Sequence, residues 1–184
     1  MVRSRRAFLA AVGMAVLAGP AVFAVDETRA PEYQLKAEFL ERFTRFIEWP
    51  GEETATGPFV IGVLGGNPFG SYLAEMASGR KIKGRTVEIR ELASLDDVGP
   101  CHIVFIAGSQ RKSLDRVLQR TAGKPILTVS DVDGFAEKGV LVNFYSTESN
   151  LRFEVNDAAA RKSGLKFSSK LMKLARVVNL EEPK

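Results

Sequence analysis

The chain alternates short apolar runs with helical patterns, and this alternation constrains its fold more than any other feature. Nearly continuous apolar runs cover residues 59–64, 101–106 and 125–129, which is typical of strands that are covered on both faces. Helical patterns follow two of these runs, over residues 69–77 and 113–120. Strands and helices joined in turn by short connections predict a single three-layer α/β domain, with a mostly parallel sheet and helices on both faces.

The pattern changes near the C-terminus, where two strand-like runs lie close together. Residues 140–144 and 151–155 flank a polar tip, so they predict an antiparallel β-hairpin at the edge of the sheet. Two helices are expected to close the chain. Asn156 is a suitable N-cap for the first and Ser168 for the second, whose apolar face is predicted to extend to Val178.

A first helix is predicted from Tyr33 onward, after a polar lead-in at residues 25–32 that we expect to be mobile. Apolar side chains recur along this helix at three- and four-residue steps, and they include an aromatic stripe of Phe39, Phe43 and Phe46. We interpret this stripe as part of the core rather than as a cofactor site.

The N-terminus, residues 1–24, has the order of an export signal. Basic residues that include Arg5 and Arg6 precede an apolar run at 7–17, and a small-residue cleavage site ends at Ala24. The segment around the arginine pair resembles a twin-arginine signal, and a general secretory signal is the alternative. Cleavage after Ala24 is expected to release an exported protein that is not inserted in the membrane.

Composition argues against nucleic-acid binding, metal binding and catalysis. The formal net charge is +4, but three arginines belong to the predicted export signal, and the remaining charges nearly balance. Cys101 is the only cysteine and His102 the only histidine, which leaves no internal disulfide, no set of metal ligands and no nucleophile paired with a base. Cys101 begins an apolar run and is predicted to be a buried, unreactive thiol. We therefore expect a protein without enzymatic activity and without a cofactor.

Two turns after predicted strands are candidates for a ligand crevice. Gly65, Gly66 and Asn67 follow one strand, and Ser130 and Asp131 follow another. Doubly wound sheets bind ligands at the carboxyl ends of their strands. The glycines match neither a dinucleotide fingerprint nor a phosphate-binding loop. A tight turn at the glycines and a capping role for Ser130 and Asp131 are the alternatives.

The second strand of the predicted hairpin carries charges between apolar residues. Strand alternation sends Leu151, Phe153 and Val155 to one face. Arg152 and Glu154 are sent to the other face, where we expect them to point outward. These two charges are either a solvated pair of little energetic value or part of a polar patch that recognises a partner.

An ordered series of short segments extends from about residue 33 to residue 178. The segments are Lys36-Ala37-Glu38-Phe39-Leu40, Glu48-Trp49-Pro50, Val60-Ile61-Gly62-Val63-Leu64-Gly65, Pro68-Phe69-Gly70, Cys101-His102-Ile103-Val104-Phe105-Ile106, Leu127-Thr128-Val129-Ser130-Asp131, Gly134-Phe135-Ala136, Asn150-Leu151-Arg152-Phe153-Glu154-Val155-Asn156, Gly164-Leu165-Lys166 and Ser168-Ser169-Lys170-Leu171. Together these segments resemble the YfiR family. The resemblance covers nearly all of the predicted domain at residues 33–184.

The resemblance implies a periplasmic regulator without enzymatic activity. Members of the YfiR family repress a partner, typically an inner-membrane diguanylate cyclase whose periplasmic region they hold. They thereby lower cyclic-di-GMP synthesis and limit biofilm formation. Some members are homodimers, and some carry stabilising disulfides, which the lone Cys101 cannot form within this chain. A small-ligand-binding sensor associated with a receptor or transporter is the alternative function.

The resemblance around residues 150–156 supports a partner-binding site on the hairpin. We predict that Phe144 is an apolar anchor and that Arg152 and Glu154 orient the partner with their charges. Asn150 and Asn156 are predicted to support these residues with local hydrogen bonds.

Overall fold

The computed structural model describes residues 30–148 and 150–179. The helices within those residues are α1 (Ala30–Thr44), α2 (Tyr72–Ala77), α3 (Leu114–Thr121), α4 (Asp157–Lys162) and α5 (Ser169–Leu174). The strands are β1 (Ile47–Glu48), β2 (Phe59–Leu64), β3 (Lys81–Ile82), β4 (Arg85–Leu92), β5 (Ile103–Ile106), β6 (Leu127–Ser130), β7 (Val142–Ser146), β8 (Leu151–Asn156), β9 (Lys166–Phe167) and β10 (Arg176–Val178). The predicted export signal lies outside the described residues.

Eight of the described strands form one sheet, in the spatial order β10-β8-β7-β6-β5-β2-β4-β3. From β4 to β7 all neighbouring strands are parallel, which confirms the prediction of a mostly parallel sheet. β7 and β8 form the predicted antiparallel hairpin. Beyond this hairpin, β10 pairs in parallel with β8 and supplies the edge of the sheet. β1 and β9 form a separate antiparallel pair.

Apolar side chains of the strands pack on both faces of the large sheet. On the first face, strand residues such as Phe105 pack in a core to which α1, α2, α4 and α5 contribute. On the second face, Val104 and Ile106 pack in a core with Leu114 and Val117 of α3. Alternate residues of one strand therefore enter different cores, which explains the continuous apolar runs and confirms the three-layer α/β fold.

Helix α1 lies on the first face and is held there by aromatic contacts. The ring of Phe43 stacks on Phe144 with 5.7 Å between centroids and meets Phe153 edge-on at 5.0 Å. Phe39 contacts the same two rings at 5.9 and 6.2 Å. Phe43 is buried, and Phe39 and Phe46 are partly buried against the core. The predicted core role of the aromatic stripe is therefore confirmed.

Two helix boundaries differ from the predicted ones. α1 begins at Ala30, three residues earlier than predicted, so the end of the polar lead-in forms its first turn. The last helix ends at Leu174, and its predicted extension to Val178 is wrong. Residues 176–178 pair with β8 as a strand instead, because consecutive β-branched valines favour the extended backbone.

The predicted N-caps of the last two helices are both confirmed. The side-chain oxygen of Asn156 accepts a hydrogen bond from the backbone N–H of Ala159 at 2.8 Å. The hydroxyl of Ser168 accepts one from the backbone N–H of Leu171 at 3.2 Å. Each cap satisfies a backbone donor that the first turn of a helix otherwise leaves without a partner.

Cys101 packs in the core on the second face of the sheet and is 4% exposed. Burial raises the pKa of its thiol to about 11. Because the thiolate is the reactive form, this thiol is a weak nucleophile at neutral pH. The predicted burial of Cys101 is therefore confirmed.

Candidate functional site

The predicted recognition residues lie on the β7–β8 hairpin and just beyond its turn. The register of the hairpin sets Phe144 opposite Phe153, and both rings pack in the core on the first face. The same register sets Tyr145 opposite Arg152. Alternation places Tyr145 and Arg152 on the second face, together with Glu154. The hairpin thus divides the predicted residues between two faces of the sheet.

Phe144 is a core residue, so its ring is not accessible for the predicted role of an apolar anchor to a partner. The residue is 1% exposed, and its ring lies against Phe39 and Phe43 of α1. The physical reason is the register of the hairpin, because a side chain opposite Phe153 must share the face that α1 covers. An external partner therefore meets α1 before it can reach this ring.

Glu154 is also buried, which corrects the prediction that its carboxylate points outward into solvent. It is 2% exposed and forms an ion pair with Arg176 of β10. β10 pairs with β8 so that Arg176 lies directly beside Glu154. The edge strand that the sequence did not predict therefore covers the carboxylate and supplies its cation.

Arg176, Tyr145 and Arg152 form a group that we call the hairpin surface, in which the two arginines are exposed and Tyr145 is half-buried. The guanidinium of Arg176 lies 4.2 Å from the ring centroid of Tyr145, within the range of a cation–π contact. Its side chain is 56% exposed although it is bound to Glu154. The hydrogen bond to Glu154 raises the pKa of Arg176 above its usual value. Arg152 is exposed and forms no ion pair with any described residue.

The two asparagines have different roles in the structure. Asn156 is buried, and its amide donates a hydrogen bond to the carbonyl of Ala136 at 2.7 Å, in addition to the cap on α4. This side chain therefore fixes the end of β8 from the inside. Asn150 is exposed at the hairpin tip, where its carbonyl accepts hydrogen bonds from the backbone and hydroxyl of Thr147 at 2.9 and 3.1 Å.

Two of the predicted crevice residues line a cavity of about 820 Å³. Gly65 and Gly66 form one wall at the carboxyl end of β2, and Arg116 and Arg120 of α3 form another. Gly65 has a φ of +96°, and a Cβ atom there would lie 2.7 Å from the Cγ of Gln110. Glycine is therefore required at this turn for both conformation and close approach.

Asn67 and Ser130 serve local structure and do not line this cavity. Asn67 accepts a hydrogen bond from the backbone N–H of Phe69 at 2.9 Å and donates one to the carbonyl of Gly70 at 3.2 Å. The buried hydroxyl of Ser130 donates to the carbonyl of Ile106 at 2.7 Å. Both side chains thus stabilise turns and strands at this edge of the sheet.

Asp131 lies in a different cavity, of about 250 Å³, which it lines with Glu32, Tyr33 and Lys36. Its carboxylate accepts hydrogen bonds from the Tyr33 hydroxyl at 2.8 Å and from the Lys36 ammonium at 2.6 Å. Lys36 is only 3% exposed and also pairs with Glu32 at 2.6 Å. The five predicted crevice residues therefore do not form one site, and Asp131 instead ties α1 to the end of β6.

His102 lies at the other end of the sheet and is uncharged at neutral pH. Its Nδ1 accepts a hydrogen bond from the backbone N–H of Val60 at 3.0 Å. Burial, together with the positive charge of Arg85, lowers the pKa of His102 to about 4. The ring stacks on Phe59 at 4.4 Å, so it is part of the packing at the start of β2 and β5.

Acidification is expected to destabilise the protein through His102. The histidine side chain of the unfolded chain has a pKa near 6.5, whereas that of the folded protein has a pKa of about 4. Between these two pH values the unfolded state binds a proton and the folded state does not, so acidification favours unfolding. Stability should therefore fall by about 1–2 kcal/mol between pH 7 and pH 5. Urea unfolding of untagged protein at both pH values measures this loss. His102→Gln removes the only histidine and should reduce the dependence of the free energy of unfolding on pH between pH 7 and pH 5. An equal pH dependence in the variant contradicts the assignment of this loss to His102.

Comparison with known protein families identifies the family of this chain. The model of the YfiR/HmsC-like family matches residues 33–176. The chain belongs to this family. No curated protein matches it closely enough to indicate a more specific relative. The YfiR/HmsC-like match includes α1 from Tyr33 onward, the whole β7–β8 hairpin and Arg176 at its last position.

Two further observations describe the part of the chain that the structure covers. Within residues 30–148 and 150–179, no group of three or more His, Cys, Asp or Glu side chains has the arrangement of a metal site. In the same residues, no helix combines the length and the apolar character needed to cross a bilayer.

Sequence reasoning missed two members of the hairpin surface, Tyr145 and Arg176. Tyr145 lies opposite Arg152 in the hairpin, and paired residues of two antiparallel strands share one face of the sheet. Its position on this face therefore follows once the register of the hairpin is known. Arg176 was assigned to a helix. The short run Arg-Val-Val at 176–178 was the available signal, because it favours a strand over a helical turn.

Proposed function

We propose that the protein is an exported regulator that binds the periplasmic region of an inner-membrane diguanylate cyclase and represses it. By holding that region in one conformation, it lowers cyclic-di-GMP signalling and biofilm formation. Membership of the YfiR/HmsC-like family supports this role. The order of charged, apolar and small residues at the N-terminus supports export to the periplasm.

The hairpin surface is our candidate for the partner contact, and the Arg176–Tyr145 arrangement is the observation that carries this choice. The buried carboxylate of Glu154 and the ring of Tyr145 hold the Arg176 guanidinium in place while more than half of the side chain stays exposed. A side chain that is already ordered loses little conformational entropy on binding. Arginine and tyrosine are also enriched among residues that dominate binding energy.

Arg152 adds a second exposed cation to the same face. Because Arg152 has no ion pair among the described residues, its guanidinium is available to a carboxylate or a carbonyl of the partner. Asn150 at the hairpin tip extends the contact, whereas Glu154 and Asn156 act from inside the domain by fixing Arg176 and the end of β8. The partner surface should accordingly be acidic or rich in hydrogen-bond acceptors.

Arg152→Ala is expected to release the cyclase without unfolding the regulator. Loss of an exposed charge should change the free energy of unfolding by less than about 0.5 kcal/mol. Loss of a charge that becomes buried in a complex weakens binding by about 2–5 kcal/mol, because the opposite group is left unpaired. Titration calorimetry with the purified periplasmic region of the cyclase measures affinity, and cellular cyclic-di-GMP reports derepression.

Arg42→Ala is the matched control, since Arg42 is exposed on α1 on the opposite side of the sheet. It should bind and repress as the unmodified protein does. If Arg152→Ala also binds and represses normally, Arg152 is a solvated charge and the contact lies elsewhere. If Arg152→Ala unfolds, its role is structural.

Export is tested separately from repression. Intact mass of the protein recovered from the periplasm should correspond to a chain that begins at Val25, after cleavage behind Ala24. A protein that retains Met1, or that stays in the cytosol, contradicts the proposed location. Replacement of Arg5 and Arg6 by lysine should block export if the twin-arginine route is used, and should leave it unchanged if the general secretory route is used.

A small-ligand sensor is the second candidate function, and the cavity at Gly65 and Gly66 is the observation that favours it. The cavity lies at the carboxyl ends of β2 and β4, where doubly wound sheets commonly bind ligands. A ligand that binds there should raise the melting temperature, and above its dissociation constant the rise should follow the logarithm of the ligand concentration. Arg116→Ala should reduce that rise while leaving partner binding unchanged.

A further inference from the structure

Positive charge is concentrated in the last described part of the chain. Residues 157–179 contain six basic residues and one acidic residue, whereas the whole chain has 26 basic and 22 acidic residues. All six basic residues are exposed. Two of them are neutralised locally, because Arg161 pairs with Asp157 at 2.7 Å and Arg176 pairs with Glu154. Lys170 and Lys173 have no ion pair among the described residues.

Two exposed apolar side chains occur in the same segment of the chain as these two lysines. Leu174 is 66% exposed and Val177 is 48% exposed. Lys170, Lys173 and Leu174 follow the i, i+3, i+4 spacing of one helix face on α5, whereas Leu171 is buried on its inner side. We call Lys170, Lys173, Leu174 and Val177 the lysine–leucine surface.

The lysine–leucine surface lies at the β10 edge of the domain, on the first face of the sheet. Val177 is in register with Val155, which belongs to the core on that face. Arg176, the residue before it, points to the second face and joins the hairpin surface. The two surfaces therefore share one edge of the sheet and lie on opposite sides of β10.

We infer that the lysine–leucine surface binds the anionic headgroups of a phospholipid membrane. Lysines that flank a projecting apolar side chain match a membrane interface, where the ammonium groups meet phosphates and the leucine enters the acyl boundary. A stable protein interface needs about 800 Å² from each partner, far more than two apolar side chains supply. A lipid surface has no such requirement, because it deforms around single side chains.

Membrane contact at this edge would hold the regulator close to a membrane-embedded target. Binding should be weak, reversible and sensitive to salt, because it rests on two free lysines and a small apolar area. The inference does not depend on the identity of the target. It is tested without any partner protein, so its failure would leave the proposed repression untouched.

The test measures how much protein sediments with lipid vesicles. The protein is purified after export, because the apolar run of the predicted signal would itself bind lipid. Vesicles of phosphatidylethanolamine with phosphatidylglycerol should bind it, and vesicles of phosphatidylcholine alone should not. The double variant Lys170→Gln, Lys173→Gln should lower the partition coefficient about 30-fold, given about fivefold for each lysine near an anionic surface. Leu174→Ser should lower it about fivefold to tenfold.

Lys81→Gln combined with Lys112→Gln is the matched control. Both lysines are exposed, and Lys81 lies on β3 at the opposite edge of the sheet. This variant has the same net charge as the test variant and should bind vesicles within about twofold of the unmodified protein. Equal losses in the two double variants, or equal binding to neutral vesicles, overturn the inference. Absence of binding by the unmodified protein to the anionic vesicles overturns it as well.

Discussion

Replacing Phe144 by alanine is expected to lower the free energy of unfolding by about 3–5 kcal/mol. Phe144 is 1% exposed, and its ring contacts Phe39 and Phe43 of α1. The truncation leaves a cavity between α1 and the hairpin, which neighbouring rings cannot fill without moving the helix. Urea unfolding of the isolated protein measures the loss, in the absence of any partner.

Phe144→Leu is the control for this experiment, because it keeps most of the apolar volume and should destabilise by less than about 1.5 kcal/mol. Both variants should lose repression only to the extent that they unfold at the temperature of the assay. If Phe144→Ala keeps its stability and loses partner binding, the ring is a contact residue after all, and its place in the core is incorrect.

Replacing Arg176 by alanine is expected to destabilise the protein by about 2–3 kcal/mol at neutral pH. The change leaves the carboxylate of Glu154 buried without its cation. This loss of stability is smaller than is usual when one partner of a fully buried ion pair is removed, because the guanidinium of Arg176 is partly solvated.

A second substitution identifies the cause of this loss. Glu154→Gln added to Arg176→Ala should recover more than half of the lost stability, because it removes the unpaired charge and keeps the shape. Arg161→Ala is the comparison variant, because Arg161 forms an exposed ion pair with Asp157 and its loss should leave the urea midpoint nearly unchanged. If Arg176→Ala costs no more than Arg161→Ala, Glu154 is effectively solvated, as the sequence had suggested.

The parallel sheet could be predicted because both of its faces are buried. Runs such as residues 59–64 contain no polar position, which identifies a central strand of an α/β sheet without any knowledge of its neighbours. The caps at Asn156 and Ser168 were also predictable, since each acts on a backbone N–H three residues away. Features of this kind are determined by residues that are close together in the sequence, so they can be predicted without knowledge of the tertiary fold.

The candidate site was less predictable because it depends on pairing between distant residues. Alternation places Arg152 and Glu154 on one face, but it does not say whether that face is covered. Glu154 is buried only because β10 returns beside β8, and Arg176 is 22 residues further along the chain. Phe144 was misplaced for a related reason, since the hairpin register that sets it opposite Phe153 was not used.

The attachment of α1 has a consequence for the order in which the chain folds. Tyr33 and Lys36 bind Asp131, which lies 98 and 95 residues later. The aromatic partners of α1 on the hairpin lie later still. A 15-residue helix has only marginal stability in water until such partners arrive. The first described helix to be synthesised is therefore secured only after the hairpin has been made, so the core on the first face of the sheet cannot close before the C-terminal half of the domain is present.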